Sequence, residues 1–132
     1  MIQPCSKDDV SAICSVINDA AVKYRGAIPA DCWHEPYMPL AELRQEIADG
    51  IRFGGFQENG EWIGVMGIHD VQDVTLIRHA YVRSARQGAG IGRQLLHKLL
   101  TLTGQPVLIG TWAAAAWAIS FYNGNGLSLI HI

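Results

Sequence analysis

A chain of 132 residues, 49% hydrophobic and 17% charged, is long enough for one domain with one core and too apolar to be disordered. No apolar run approaches the roughly 20 residues of a membrane helix, and the N-terminal residues show no apolar signal segment. The three cysteines (Cys5, Cys14 and Cys32) lack metal-ligand spacing. We therefore predict a cytoplasmic protein with reduced thiols, no metal and no membrane partner.

The net charge of −2 is divided unevenly along the chain. Residues 1–73 hold all 12 acids and five bases, whereas residues 74–132 hold the other five bases and no acid. A basic half suits a polyanionic ligand, and an acidic half suits a cationic one such as an amine. Nucleic-acid binding by the basic half is the alternative, but the charges have no aromatic residues interleaved on a sheet, so we predict no nucleic-acid partner.

A short strand over residues 1–5 and an amphipathic helix over residues 6–23 are the first predicted elements. Ser6 has the position of an N-cap, and Asp9 is the acid expected three residues later. The apolar residues that follow recur at the three- and four-residue spacing of one buried helix face.

Two features of this region have more than one interpretation. Asn18 and Asp19 lie among the apolar positions of the helix, and we interpret them as solvated rather than as substrate-facing. The irregular segment 24–38 is rich in aromatic residues. Such a segment either walls a pocket for a small amine or covers one end of the core.

A second helix and three strands are predicted next. The helix has Pro39 in its first turn and ends at Gly50. Asn59-Gly60 forms a hairpin turn, and residues 70–73 turn the chain again. The three consecutive antiparallel strands are predicted over residues 51–57, 62–69 and 74–82.

A glycine-rich turn lies between the third of these strands and an amphipathic helix. It reads Gln87-Gly88-Ala89-Gly90-Ile91-Gly92 and is flanked by Arg83, Arg86 and Arg93. Glycine allows a tight turn and close approach of a ligand, and the first helical turn has unpaired N–H groups that attract anions. We predict a pyrophosphate cradle; the alternative is a strand–helix turn that binds no ligand.

Two common nucleotide motifs do not fit this turn. The dinucleotide fingerprint requires a third glycine where Arg93 stands and a later acid, yet no acid follows Asp73. The P-loop requires a Gly-Lys-Ser/Thr ending, which is absent. The pattern Gln87-x-x-Gly90-x-Gly92 instead resembles the acetyl-CoA signature of the GCN5-related N-acetyltransferases, the GNAT family.

A second resemblance follows a strand predicted over residues 107–112 and an alanine-rich helix over 113–123. Residues 115–127 resemble the family pattern Asn-x-x-Ala-x-x-Phe-Tyr-x-x-x-Gly-Phe, except that Ala115 replaces the asparagine and Leu127 the last phenylalanine. The element order β-α-α-β-β-β-α-β-α also resembles GNAT proteins. The resemblance implies an α/β (α+β) fold with a mixed, mostly antiparallel sheet and helices on both faces.

The end of the chain departs from the family. GNAT proteins continue for further strands, so the last strands are expected to be missing or incomplete, in a C-terminally truncated chain. Residues 127–132 resemble the translation of a sequencing-adapter end. We therefore place a single domain at residues 1–126 and expect a non-native tail, which is still able to pair as a strand.

The resemblance implies an N-acetyltransferase in which the primary amine of a small molecule or peptide attacks acetyl-CoA directly in a ternary complex. Main-chain groups near Ala80 and Val82 are expected to pair with the pantetheine arm. Tyr122 matches the tyrosine that protonates the leaving thiolate. The pyrophosphate is expected at Gln87, Gly88, Ala89, Gly90, Ile91, Gly92 and Arg93. A non-catalytic acyl-CoA-binding or sensor module is the alternative, and homodimer formation stays open.

The resemblance does not identify the group that takes the proton from the amine. In several relatives this base lies on the fourth strand, at positions that here hold Leu76 and Arg78, and neither is a suitable base. Strand alternation points His79 to the other face, where we interpret it as a hydrogen-bonded core residue. The remaining candidates are Glu35 and His34, with Asp73 behind them.

Overall fold

A computed structural model describes residues 1–22, 28, 35–111 and 128–131 of the chain. The described residues include one six-stranded sheet, whose strands follow one another in chain order. The strands are β1 (Ile2–Pro4), β2 (Arg52–Glu58), β3 (Glu61–Val71), β4 (Val74–Val82), β5 (Val107–Thr111) and β6 (Ser128–His131). The helices are α1 (Val10–Ala21), α2 (Leu40–Ala48) and α3 (Ile91–Leu102).

The sheet is mixed and mostly antiparallel, as the sequence predicts. Strands β1 to β4 pair antiparallel, whereas β5 pairs parallel to β4, and β6 parallel to β5. β3 is longer than predicted because Val71 pairs with Val74, so the turn consists of Gln72 and Asp73 alone. The helix expected over residues 113–123 lies outside the described residues, and the domain boundary at 126 stays a prediction.

Apolar side chains form a core cluster on each face of the sheet. Helices α1 and α2 cover one face, where Ile17, Leu43 and Val65 are completely buried. Helix α3 covers the other face with Leu96, which packs near Ile109 of β5. The prediction of helices on both faces is confirmed. Within the described ranges, no helix has the length and apolarity that crossing a membrane requires.

The capping and turn residues identified in the sequence lie close to the observed ends of the elements. The Asp9 carboxylate accepts the Ser6 N–H at 2.8 Å, and this capping box opens a 3₁₀ turn that runs into α1. Asn59 and Gly60 have φ values of 54° and 79°, which the hairpin turn requires. Pro39 differs slightly from the prediction, because it is the N-cap of α2 and lies just outside the helix.

The regular alternation of β4 is broken by a bulge at Arg78. His79 is opposite Gly67 of β3, but Ile77 is opposite the next residue, Ile68, so Arg78 is an inserted residue. Consequently Ile77 and Ala80, three positions apart, both pack in the cluster under α3.

The sheet opens between β4 and β5 just beyond this bulge. The two strands pair only over Thr75–Ile77 and Val107–Ile109. Beyond that point β5 continues its pairing with β6, while residues 78–82 of β4 have no strand partner on that side among the described residues. The opening leads directly to the glycine-rich turn at the end of β4.

Candidate active site

The backbone of the glycine-rich turn is folded as a cradle. Gly88 and Gly90 have φ values of 85° and 82°, in the left-handed region that other residues rarely adopt. A Cβ atom built at either position would have no other atom within 4 Å. The turn is therefore an open surface concavity, and its glycines are needed for their conformation.

The first turn of α3 presents backbone donors to this concavity. Gly90 is the N-cap and has no side chain with which to cap the helix. Ile91 is anchored in the core with 3% of its surface exposed, which fixes the direction of the helix. Uncapped N–H groups and the helix dipole together favour a bound anion, so the residues present fit a pyrophosphate.

The three arginines near the turn have different partners. Arg86 donates to both carboxylate oxygens of Glu58 at 2.7 and 3.2 Å. Arg83 donates through Nε to the carbonyl of Trp62 at 2.9 Å. Arg93, which is exposed, has no hydrogen bond or ion pair with any residue that the structure describes. Arg86 is paired with Glu58, and Arg83 Nε lies 3.9 Å from a carboxylate oxygen of Glu61. Of the three, Arg93 is the one without an acidic partner among the described residues, and its contact with a phosphate stays a prediction.

Helix α1 holds the segment that leads into the turn. The Asp19 carboxylate accepts the N–H of Ser84 at 2.7 Å, and the Asp19 carbonyl accepts from the Ser84 hydroxyl at 3.0 Å. Asp19 is exposed, as its interpretation as a solvated residue expects, and it also ties α1 to the chain just before the cradle.

The edge of β4 that faces the opening carries main-chain groups at Ala80 and Val82. The Arg83 N–H donates to Ile63 of β3 at 2.9 Å. Since backbone groups alternate between the two edges of a strand, those of Ala80 and Val82 point to the opposite edge. Gln87 lies at this edge as well, and its side-chain amide donates to the Val82 carbonyl at 3.1 Å.

A polar pair lies on the α2 face of β4, behind this edge. His79 Nε2 is 2.6 Å from a carboxylate oxygen of Glu46, and the His79 side chain is 10% exposed. The hydrogen bond with His79 holds the pKa of Glu46 below its ordinary value, against the effect of burial. His79 is hydrogen-bonded and largely buried, as predicted. Because of the bulge at Arg78, however, it lies on the same face of β4 as Leu76, and not on the opposite face that strict alternation predicts.

A row of rings connects this pair to the loop between α1 and α2. The ring of Tyr81 lies 6.2 Å from that of His79 and 6.4 Å from that of Tyr37, between centroids. The side chain of Asn18 accepts the Met38 N–H at 2.8 Å and donates to the Met38 carbonyl at 3.0 Å. Asn18 is therefore a clamp on the end of the loop, and its interpretation as solvated was wrong.

The predicted catalytic residues are only partly described. Glu35 is exposed at the edge of the aromatic loop. His34 and Tyr122 lie outside the described residues, as do Ala115 and the rest of the second family pattern. Sequence reasoning missed Glu46, because nothing in the α2 sequence distinguishes this glutamate from a solvated one.

Several solved structures are similar in fold to this chain. A tetramutant of the BH1408 protein from Bacillus halodurans is 19% identical with a TM-score of 0.79, covering 97% of this chain and 93% of that one. The PaiA N-acetyltransferase from Thermoplasma acidophilum, solved with coenzyme A, is 19% identical with a TM-score of 0.75, and the coverage is 95% and 87%.

A third similar structure is the ribosomal-protein-alanine N-acetyltransferase from Brucella melitensis, 24% identical with a TM-score of 0.73 over 96% of this chain and 83% of that one. Comparison with curated protein sequences found no significant match. The model of the acetyltransferase (GNAT) family matches residues 15–126, most of the chain. The chain belongs to the acetyltransferase (GNAT) family.

Proposed function

We propose that the protein is an N-acetyltransferase that moves the acetyl group of acetyl-CoA to a primary amine. The observation that carries the proposal is the continuity of the glycine cradle with the opened edge of β4. A pyrophosphate on the N–H groups of residues 87–92 places the pantetheine arm along Ala80 and Val82, whose main-chain groups face the opening. The arm then ends near the bulge at Arg78.

The chemistry proposed for this site is direct acyl transfer. The neutral amine attacks the thioester carbonyl, and a main-chain N–H near the opening stabilises the charge that develops on the carbonyl oxygen. Tyr122 is proposed to protonate the departing thiolate. The proton acceptor expected from the sequence is Glu35 or His34, both in the loop that Tyr37 anchors against β4.

Two features support the choice of acceptor classes. Tyr37 and Met38, at the described end of the aromatic loop, pack in the same core cluster as Tyr81, which suits an amine with an aromatic or apolar body. One protein with this fold is a ribosomal-protein-alanine N-acetyltransferase, so a peptide amine is the second class. Phenethylamine and a peptide that begins with alanine are the probes for these classes.

The test begins with calorimetric titration of the chain with acetyl-CoA, CoA and NAD. We expect the first two to bind and NAD not to bind. Release of CoA thiol is then measured with each probe amine, in the wild type and in Tyr122→Phe. The variant should bind acetyl-CoA normally and lose turnover by about 10²-fold or more.

Two outcomes would contradict the proposal. Equal binding of NAD would mean that the cradle is a general anion site. Tight acetyl-CoA binding without any thiol release, in the wild type as in Tyr122→Phe, would favour the non-catalytic acyl-CoA sensor.

A further inference from the structure

The pair of His79 and Glu46 is more enclosed than a surface ion pair. The side chains are 10% and 21% exposed, and the ring of His79 stacks on Phe53 with centroids 5.7 Å apart. Because the Glu46 pKa is lowered, its carboxylate is ionised at neutral pH and accepts a hydrogen bond from Nε2. This leaves the lone pair of a neutral His79 ring on Nδ1.

The other ring nitrogen of His79, Nδ1, is a buried polar atom. It makes no hydrogen bond with any residue that the structure describes. A buried polar atom without a partner costs about 1–3 kcal/mol, so its presence calls for an explanation such as a water or a catalytic role. A carboxylate on one nitrogen and an available lone pair on the other is the arrangement of a general base.

The position of His79 matches the place where the thioester is expected. The residue lies between the bulge at Arg78, where β4 and β5 separate, and Ala80, which faces the opening. Its ring is on the α2 face, in the row that leads through Tyr81 to Tyr37. An amine that enters along Tyr37 and Tyr81 would therefore approach His79 as it approaches the thioester.

The described groups around His79 come from four elements of the fold. Helix α2 contributes the carboxylate of Glu46, and β4 contributes Tyr81 and the exposed guanidinium of Arg78, which acts on Glu46. β2 and β3 contribute the uncharged Phe53 and Gly67. Glu46 is thus the carboxylate that stabilises a positive charge on the ring.

We propose that His79, oriented by Glu46, accepts the proton that the acceptor amine loses, directly or through one water. This inference rests on the proposed acetyltransferase function and replaces Glu35 and His34 as the base. The ammonium form of the acceptor transfers a proton to Nδ1 and becomes the neutral amine. The amine forms the N–C bond as the C–S bond breaks, and the thiolate takes a proton from the general acid. The extra proton left on the new amide nitrogen passes to the conjugate base of that acid, and the imidazolium of His79 later releases its proton to solvent. Glu46 is a positioning residue.

The kinetic test compares His79→Gln and Glu46→Gln with wild type, using phenethylamine and the alanine-initiated peptide. His79→Gln should lower kcat/KM about 10²–10⁴-fold near neutral pH, with acetyl-CoA affinity unchanged, and should leave only the rise at higher pH that comes from the free amine of the acceptor. Glu46→Gln should give a smaller loss. The matched control is His69→Gln, because His69 also has a buried Nδ1 without a partner in the described part of the chain but lies on β3. It should stay within about threefold of wild type.

A spectroscopic measurement separates orientation from a merely structural role. In ¹⁵N spectra of the imidazoles in the complex with acetyl-CoA, neutral His79 should carry its proton on Nε2. Glu46→Gln should weaken this tautomer preference, because the carboxylate that accepts the Nε2 proton is gone. Because these spectra need only the wild type and Glu46→Gln, they test the role of His79 even if His79→Gln fails to fold.

The outcomes distinguish this inference from the proposed function. Wild-type turnover that persists in His79→Gln with the same pH dependence, or that is lost instead in Glu35→Gln or His34→Gln, overturns the role of His79 alone. A neutral His79 with its proton on Nδ1 also overturns it. Binding of acetyl-CoA without wild-type turnover of either probe overturns the acetyltransferase proposal, and this inference with it.

Discussion

At the scale of single residues, the cradle depends on backbone conformation. Gly88 and Gly90 are left-handed, and the space around both is open. A side chain at either position is therefore disfavoured by the φ value and not by a collision. Substitution should cost stability through this strain and should affect binding only where the turn meets the ligand.

The first prediction concerns Gly90→Ala. We expect a loss of about 1–2 kcal/mol in the free energy of unfolding, from the left-handed strain, and weaker acetyl-CoA binding by calorimetry. Gly60→Ala is the matched control, because Gly60 has a φ of 79° and equally open surroundings but lies in the β2–β3 turn. It should cost similar stability and leave binding unchanged. Unaltered binding in Gly90→Ala would contradict the assignment of the cradle.

The second prediction concerns pH and Asp9. Hydrogen bonds from the Ser6 N–H and then from the Trp62 indole hold the pKa of Asp9 below its ordinary value of 3.8. A lowered folded-state pKa stabilises the protein above pH 3.8, and this contribution is lost as the pH falls further. Asp9→Asn should therefore be less stable than wild type at pH 7, and the difference should shrink in strong acid. A difference in unfolding midpoint that is constant with pH would contradict this.

At the scale of elements, α1 supports both halves of the site. Asn18 clamps the end of the aromatic loop at Met38, while Asp19 holds Ser84 ahead of the cradle. Two adjacent residues of one helix thus hold the chain segments that we propose for the acceptor side and for the phosphate side. Because each makes different contacts, their effects can be separated.

The third prediction compares these neighbours. Asn18→Ala should lower the free energy of unfolding by about 1–3 kcal/mol, because the part-buried Met38 N–H loses its partner and the Met38 carbonyl keeps only the Cys14 thiol. Its affinity for acetyl-CoA should be unchanged. Asp19→Ala should cost less stability but weaken acetyl-CoA binding, since Ser84, just before the cradle, loses the carboxylate that accepts its N–H and keeps only the bond to the main-chain carbonyl of residue 19. Thermal unfolding measures the stability of both variants, and calorimetry measures their affinity for acetyl-CoA. Equal losses of stability and affinity in the two variants would contradict the division of roles.

At the scale of the whole molecule, the sheet is covered by helices on both faces and opens along one internal edge. Strands β3 and β4 contribute side chains to both core clusters. The pairing of β4 with β5, in contrast, is short. A ligand that adds hydrogen bonds to both the open edge and the cradle needs the folded arrangement of the two, so it binds the folded state and stabilises it.

The fourth prediction follows from this stabilisation. Acetyl-CoA at 100 times its dissociation constant should stabilise the folded chain by about 2.7 kcal/mol, because it binds the folded state alone. For a domain of this size the melting temperature should rise by on the order of 10 °C. NAD at the same concentration is the control and should leave the melting temperature unchanged. No shift with acetyl-CoA would contradict the site.

The sequence by itself determined the features that depend on neighbours in the chain. The capping box at Ser6, the hairpin at Asn59-Gly60 and the left-handed glycines of the cradle each involve residues a few positions apart. Apolar periodicity placed the described helices and strands to within a few residues, because the buried face of an element determines the spacing of its apolar residues.

Only the tertiary structure decided how distant residues meet. The inserted Arg78 changes which residues of β4 share a face, and counting alternate positions cannot reveal it. Arg86 looked like a phosphate ligand until Glu58, 28 residues away, was found to neutralise it. The partner of His79 is likewise 33 residues away, on α2. Such pairs depend on how elements pack, so one strand or helix alone carries no signal for them.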